Sequence, residues 1–95
     1  MTQRTRLSDT EIDHLLKKLV GWERRADTLY RKFVCKDFVD AFGLMTRIAL
    51  VAESLNHHPN WSNVYRTVEI SLSTHDAGGI THLDVELANK INSLL

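Results

Sequence analysis

The chain reads as an α+β fold: a four-stranded antiparallel sheet with three helices packed on one face, in the order α-β-β-α-β-β-α. Three observations predict it. Helix-start signatures of the capping-box type stand near both ends, at Ser8-Asp9-Thr10-Glu11 and at Thr81-His82-Leu83-Asp84. Between them runs a long, strongly apolar helical segment, Phe38 to Leu55. After it, Val68, Ile70, Leu72 and Thr74 alternate with Glu69, Ser71, Ser73 and His75, the period of a half-buried strand. Ninety-five residues make one domain, 1–95, with no room for a second.

The elements follow in order. After the first capping box, Ile12, Leu15, Leu16 and Leu19 recur at i, i+3, i+4 and i+7, one helical face, and Gly21 is placed to end that helix. Leu29, Arg31 and Phe33 then alternate with Tyr30, Lys32 and Val34, which predicts strands near 22–26 and 28–35 with a turn around Ala26-Asp27. Asp37 caps the central helix. Two apolar stripes run along it, Phe38-Phe42-Met45-Ala49-Ala52 and Leu44-Ile48-Val51-Leu55. One sheet face needs only one stripe, so the second implies another partner, read as a second copy of the same helix. Gly43, inside the helix, is expected at a close contact. Pro59 disfavours helix at His58, so the helix ends near Asn56 or His57. A short strand at Val64-Tyr65, the strand through 68–75 and a loop at Ala77-Gly78-Gly79 follow. The last helix presents Leu87, Ala88, Ile91 and Leu95.

Composition narrows the function. Twelve acidic residues balance twelve basic ones, so no bulk charge points to nucleic acid or an anionic membrane. Cys35 is the single cysteine, no apolar run resembles a signal peptide, and no stretch approaches a membrane span; a cytoplasmic protein is expected. No phosphate-binding glycine loop and no nucleophile elbow occur.

What carries chemistry is a set of imidazoles: His57 and His58 before Pro59, and His75 after the strand. Imidazole exchanges protons near neutral pH, so acid/base catalysis is the leading reading. Glu53, four residues before His57, can share its helical face and orient it. Blander readings compete. A histidine pair before proline also marks a plain helix terminus, Asp84 is accounted for as a capping residue, and Trp61 and Tyr65 as core aromatics. A metal site is disfavoured, because neighbouring histidines diverge in extended backbone and no histidine lies at i, i+4 from another in this cluster.

The intervals themselves decide between these. Glu53, three residues, His57-His58-Pro59, five residues, Tyr65, nine residues, His75, eight residues and Asp84 resembles the signature of the pterin-4a-carbinolamine dehydratases. Gly21-Trp22, the stretch Phe33 to Phe42 and Gly43-Leu44-Met45-Thr46-Arg47 are similar as well, so the resemblance spans about residues 7–94. It implies a four-stranded antiparallel sheet with three helices, and a homotetramer or homodimer built on the central helix. The implied reaction is loss of water from 4a-hydroxytetrahydropterin to give quinonoid dihydropterin, in tetrahydrobiopterin recycling, with no metal and no organic cofactor. His57, His58 and His75 would share the acid and base roles. Pro59 would hold the histidine turn, Trp61 would border the pterin ring, and Thr74 and Asp76 would lie along its edge, with Glu53 and Asp84 in support. The chain departs from the family pattern at Asn56, Ala77 and Leu83, where aspartate, cysteine and arginine are frequent; a mechanism needing a thiol at 77 is thereby put in doubt. The resemblance also carries an alternative, a protein-interaction module that stabilises a homeodomain transcription factor through the apolar central helix.

Overall fold

The structure, a computed structural model, describes residues 5–95, so the first four residues of the expected domain lie outside the described part. Its elements are α1 (Asp9–Leu16), β1 (Glu23–Arg25), β2 (Thr28–Val34), α2 (Phe38–Leu55), β3 (Asn60–Val64), β4 (Thr67–Leu72), a 3-10 turn (His75–Ala77) and α3 (His82–Ser93). The strands form one antiparallel sheet in the order β1-β2-β4-β3. This is the α+β architecture expected, with the elements in the expected order.

Register explains the core. Leu29 pairs with Leu72, Phe33 with Val68, and Trp61 with Ile70, so their side chains line one face of the sheet. Against it pack Ala41, Leu44, Ile48 and Ala52 of α2, Leu87, Ala88 and Ile91 of α3, and Ile12 of α1. Arg31 shares that face and is the polar exception. Its guanidinium donates to Val20 O at 3.0 Å and Asn92 Oδ1 at 2.7 Å, which offsets the cost of its partial burial. The opposite face is polar, with Lys32, Glu69 and Ser62 exposed and the Tyr30 hydroxyl donating to Glu69 Oε1 at 2.6 Å.

Both capping boxes form, at Ser8/Glu11 and at Thr81/Asp84. Several boundaries differ from expectation. The first helix stops at Leu16, and Lys18 and Leu19 continue it only through i−3 bonds, so Gly21 (φ 88°) ends a turn rather than the helix. The third strand is Asn60–Val64, while Tyr65 occupies the hairpin turn at φ 53°, a left-handed conformation that a strand residue does not adopt. Strand β4 ends at Leu72, so His75 opens a 3-10 turn instead of closing the strand. Leu95 lies past the end of α3 and is exposed.

The two stripes of α2 separate as their geometry requires. Leu44 and Ile48 are buried, joined by Ala41 and Ala52, while Phe38, Phe42 and Ala49 face solvent. Ala52 thus belongs to the core face. Gly43 meets no close neighbour within the chain, so the tight contact expected there is not made by this chain alone.

Candidate active site

The site begins where α2 stops. Asn56 takes the left-handed conformation (φ 49°, ψ 43°), which asparagine tolerates better than most residues, and its N–H bonds back to the carbonyls of Ala52 and Glu53. That turn sends the next two side chains apart. His57 folds inward and is 7% exposed; His58 points out, with Pro59 leading into β3.

On the other side, the chain leaves β4 and makes a tight return. Thr74 N bonds to Gly79 O at 2.8 Å, closing a loop around the 3-10 turn His75–Ala77. Gly78 ends that turn at φ 70°, a conformation costly for residues with a Cβ. The loop presents His75 and Asp76 outward and tucks Thr74 in at 2% exposure.

Together the two segments border one solvent-open cleft of about 220 Å³. Asn56, His57 and His58 line it from the α2 side, and Ser73, Thr74, His75 and Asp76 from the β4 side. Its size is below the roughly 300–1,000 Å³ of drug-sized pockets and suits a small flat ligand left partly uncovered. A larger groove of about 420 Å³ lies between Phe33, Cys35, Leu44 and Leu94, but it contains no imidazole.

Each histidine has its own setting. His57 Nε2 donates to Asp84 Oδ1 at 2.5 Å, and Asp84 is fully buried. The other oxygen of Asp84 accepts from Thr74 Oγ1 and from Thr81 N, both at 2.9 Å. His58 Nε2 donates to Glu53 Oε1 at 2.8 Å, and that pair is exposed. Glu53 therefore engages His58 and not His57, because the left-handed turn at Asn56 rotates His57 away from the helix face that carries Glu53. His75 is exposed on the far wall.

Of the expected site residues, the structure brings His57, His58, His75, Thr74 and Asp76 around the cleft. Glu53 and Asp84 stand behind two of the imidazoles. Pro59 and Trp61 are half-buried and not among the cleft's lining residues; Trp61 packs against the core. Asn56, Ser73 and Thr81 were not anticipated as site residues. Asn56 had a legible signal, an asparagine at a helix end before histidines and proline. Thr81 read only as a helix cap. Among the described residues, no three histidine, cysteine, aspartate or glutamate side chains converge as a metal ligand set.

An α+β domain with three imidazoles on one open cleft, one of them braced by a buried carboxylate, has the parts of a proton-transfer enzyme. Comparison with known proteins narrows that class. The family model for pterin 4 alpha carbinolamine dehydratase matches residues 5–94. A Bradyrhizobium protein named pterin-4-alpha-carbinolamine dehydratase is 54% identical over 91 residues, covering 94% of this chain and 92% of its own. One of the same name from Prochlorococcus marinus (strain MIT 9312) is 49% identical over 88 residues, covering 93% and 92%. The crystal structure of a transcriptional coactivator/pterin dehydratase from Brucella melitensis superposes with a TM-score of 0.92 at 41% identity, covering 95% of this chain and 98% of that one. The chain belongs to the pterin-4a-carbinolamine dehydratase family of lyases.

Proposed function

We propose that this chain dehydrates 4a-hydroxytetrahydropterin to quinonoid dihydropterin and water by histidine acid/base catalysis. The observation that carries the reading is the convergence of His57, His58 and His75 on one solvent-open cleft in a chain of this family. The chemistry needs two proton transfers. A base takes the proton on N5, the N–H electron pair forms the C4a=N5 double bond, and the C4a–O bond breaks as an acid protonates the departing hydroxyl. Three imidazoles supply both roles near neutral pH, and a placed acid or base contributes about 10²–10⁴-fold each. Asp76, exposed on the cleft wall, is placed to hydrogen-bond the polar edge of a pterin. The reaction serves tetrahydrobiopterin recycling in the cytoplasm; no described helix is long and apolar enough to cross a membrane.

Stopped-flow absorbance on synthetic 4a-hydroxytetrahydropterin tests this. The expected result is dehydration faster than in buffer, lowered about 10²-fold or more by His57→Ala and by His75→Ala with unchanged circular dichroism. A wild-type rate equal to buffer removes the enzymatic reading.

A second role is favoured by one observation. Phe38, Val39, Phe42 and Leu50 are all about half or more exposed on α2, at 48%, 80%, 58% and 69%. Such a contiguous apolar face marks an interaction surface. It supports self-association as a homodimer or homotetramer. The Brucella melitensis relative is described as a transcriptional coactivator, which supports a transcription-factor partner for the same face.

A further inference from the structure

The family resemblance puts Thr74 along the ligand's edge; the residue borders the cleft, and its side chain is engaged within the fold. Its hydroxyl lies 2.7 Å from Thr81 Oγ1 and 2.9 Å from Asp84 Oδ2, with both threonines and the aspartate buried. The direction of each bond follows from what the neighbours can offer. Leu83 N donates to Thr81 Oγ1, and an ionised carboxylate only accepts. Thr74 therefore gives its proton to Asp84 Oδ2, and Thr81 gives its own to Thr74. Asp84 Oδ2 also receives the Thr81 N–H, which leaves Oδ1 for the imidazole.

We infer that Thr74 and Thr81 are positioning residues: their hydroxyl chain locks Asp84, and Asp84 in turn holds His57 as the Nε2–H tautomer with Nδ1 as its free proton acceptor. Asp84 is the one hydrogen-bond partner of the His57 ring among the described residues, and no buried side-chain nitrogen or oxygen there lacks a partner. Nδ1 thus retains solvent access, and His57 lines the cleft. Resting on the functional reading above, this assigns His57 the base role. Its Nδ1 lone pair takes the N5 proton while Nε2–H stays on Asp84, so the ring ends with both nitrogens protonated. The acid that protonates the leaving hydroxyl is then one of the imidazoles across or beside the cleft. Orientation by a buried acceptor is the same logic by which a carboxylate holds a catalytic imidazole in its working tautomer.

Nitrogen-15 NMR of the His57 ring in the intact protein, at a pH where the ring is neutral, tests the hold on the tautomer without reference to turnover. Wild type is expected as Nε2–H. Thr74→Val, which keeps the shape and removes the donor, should mix the tautomers and lower kcat by about 10- to 100-fold with little change in KM, the cost of misaligning a reacting group. Thr74→Ser should recover the tautomer and most of the turnover. A wild-type ring protonated at Nδ1 instead would overturn the inference even if Thr74→Val fails to fold. So would a Thr74→Val protein with wild-type tautomer and kcat. Wild-type protein that holds Nε2–H yet does not accelerate dehydration would sink the enzymatic reading and still support the hydroxyl chain.

Discussion

His57 Nε2 and Asp84 Oδ1 meet at 2.5 Å across 27 residues of sequence, joining the end of α2 to the first turn of α3. One carboxylate thereby does two jobs. It completes the N-terminal cap of α3 through Thr81 N, and it holds an imidazole that lines the cleft. Asp84→Ala would leave the Thr81 N–H, the Thr74 hydroxyl and His57 Nε2–H, all on buried residues, without their shared acceptor. Leaving a buried donor without its acceptor costs about 1–3 kcal/mol. Urea unfolding at neutral pH should show that loss, and an unchanged midpoint would mean the carboxylate contributes little to the fold.

The two faces of α2 make opposite predictions. Ile48 is 0% exposed, so Ile48→Ala should destabilise by about 2–5 kcal/mol. Phe42 is 58% exposed and lies outside the core, so Phe42→Asp should leave a folded chain. If a second copy covers that face, Phe42→Asp will shift sedimentation from an oligomer to a monomer. A wild-type chain that already sediments as a monomer contradicts self-association.

Local rules made most of this fold legible. Capping boxes at Ser8 and Thr81 and the apolar run at 38–55 act through near neighbours and form as read, while the alternation read over 68–75 forms a strand only as far as Leu72. What sequence did not disclose depends on single backbone angles and on contacts far apart in the chain. The left-handed Asn56 turns His57 from Glu53 toward Asp84, and no periodicity encodes that rotation. Tyr65 looked like a strand residue because aromatics favour strands, but the β3–β4 hairpin requires a positive φ at that point. The convergence of His75 with His57 and His58 was implied by spacing resembling a family, not derivable from the side chains alone. Thr81 illustrates the same limit: its capping role is local and readable, whereas its hydroxyl contact to Thr74 exists only once the 74–79 loop has closed.

Cys35 gives a prediction about reactivity. Partial burial pushes its thiol above the ordinary range, and the nearby Asp40 and Asp37 charges push the same way. The thiolate is the reactive form, so alkylation at pH 7.5 should run several-fold slower than for a free thiol such as glutathione. Asp40→Asn removes one of the opposing charges and should speed the reaction. Modification as fast as glutathione would show that the thiol is not held back by its surroundings.

Glu11 gives a prediction about acid stability. The Ser8 backbone N–H reaches Glu11 Oε1 at 2.9 Å, and this bond, followed by the Ser8 hydroxyl, holds the carboxyl below its ordinary value of 4.5. A carboxyl depressed in the folded state contributes stability above its unfolded value and loses it as pH falls through the folded value. Glu11→Gln keeps an acceptor for the Ser8 N–H but discards the charge. Its melting temperature should therefore lie below wild type at pH 7, and the gap should close as the pH falls through the lowered folded-state value and the wild-type side chain also becomes neutral. Thermal melts of both proteins across that range test it; a gap of the same size at both ends would assign the effect to the shape of the cap and not to the charge of Glu11.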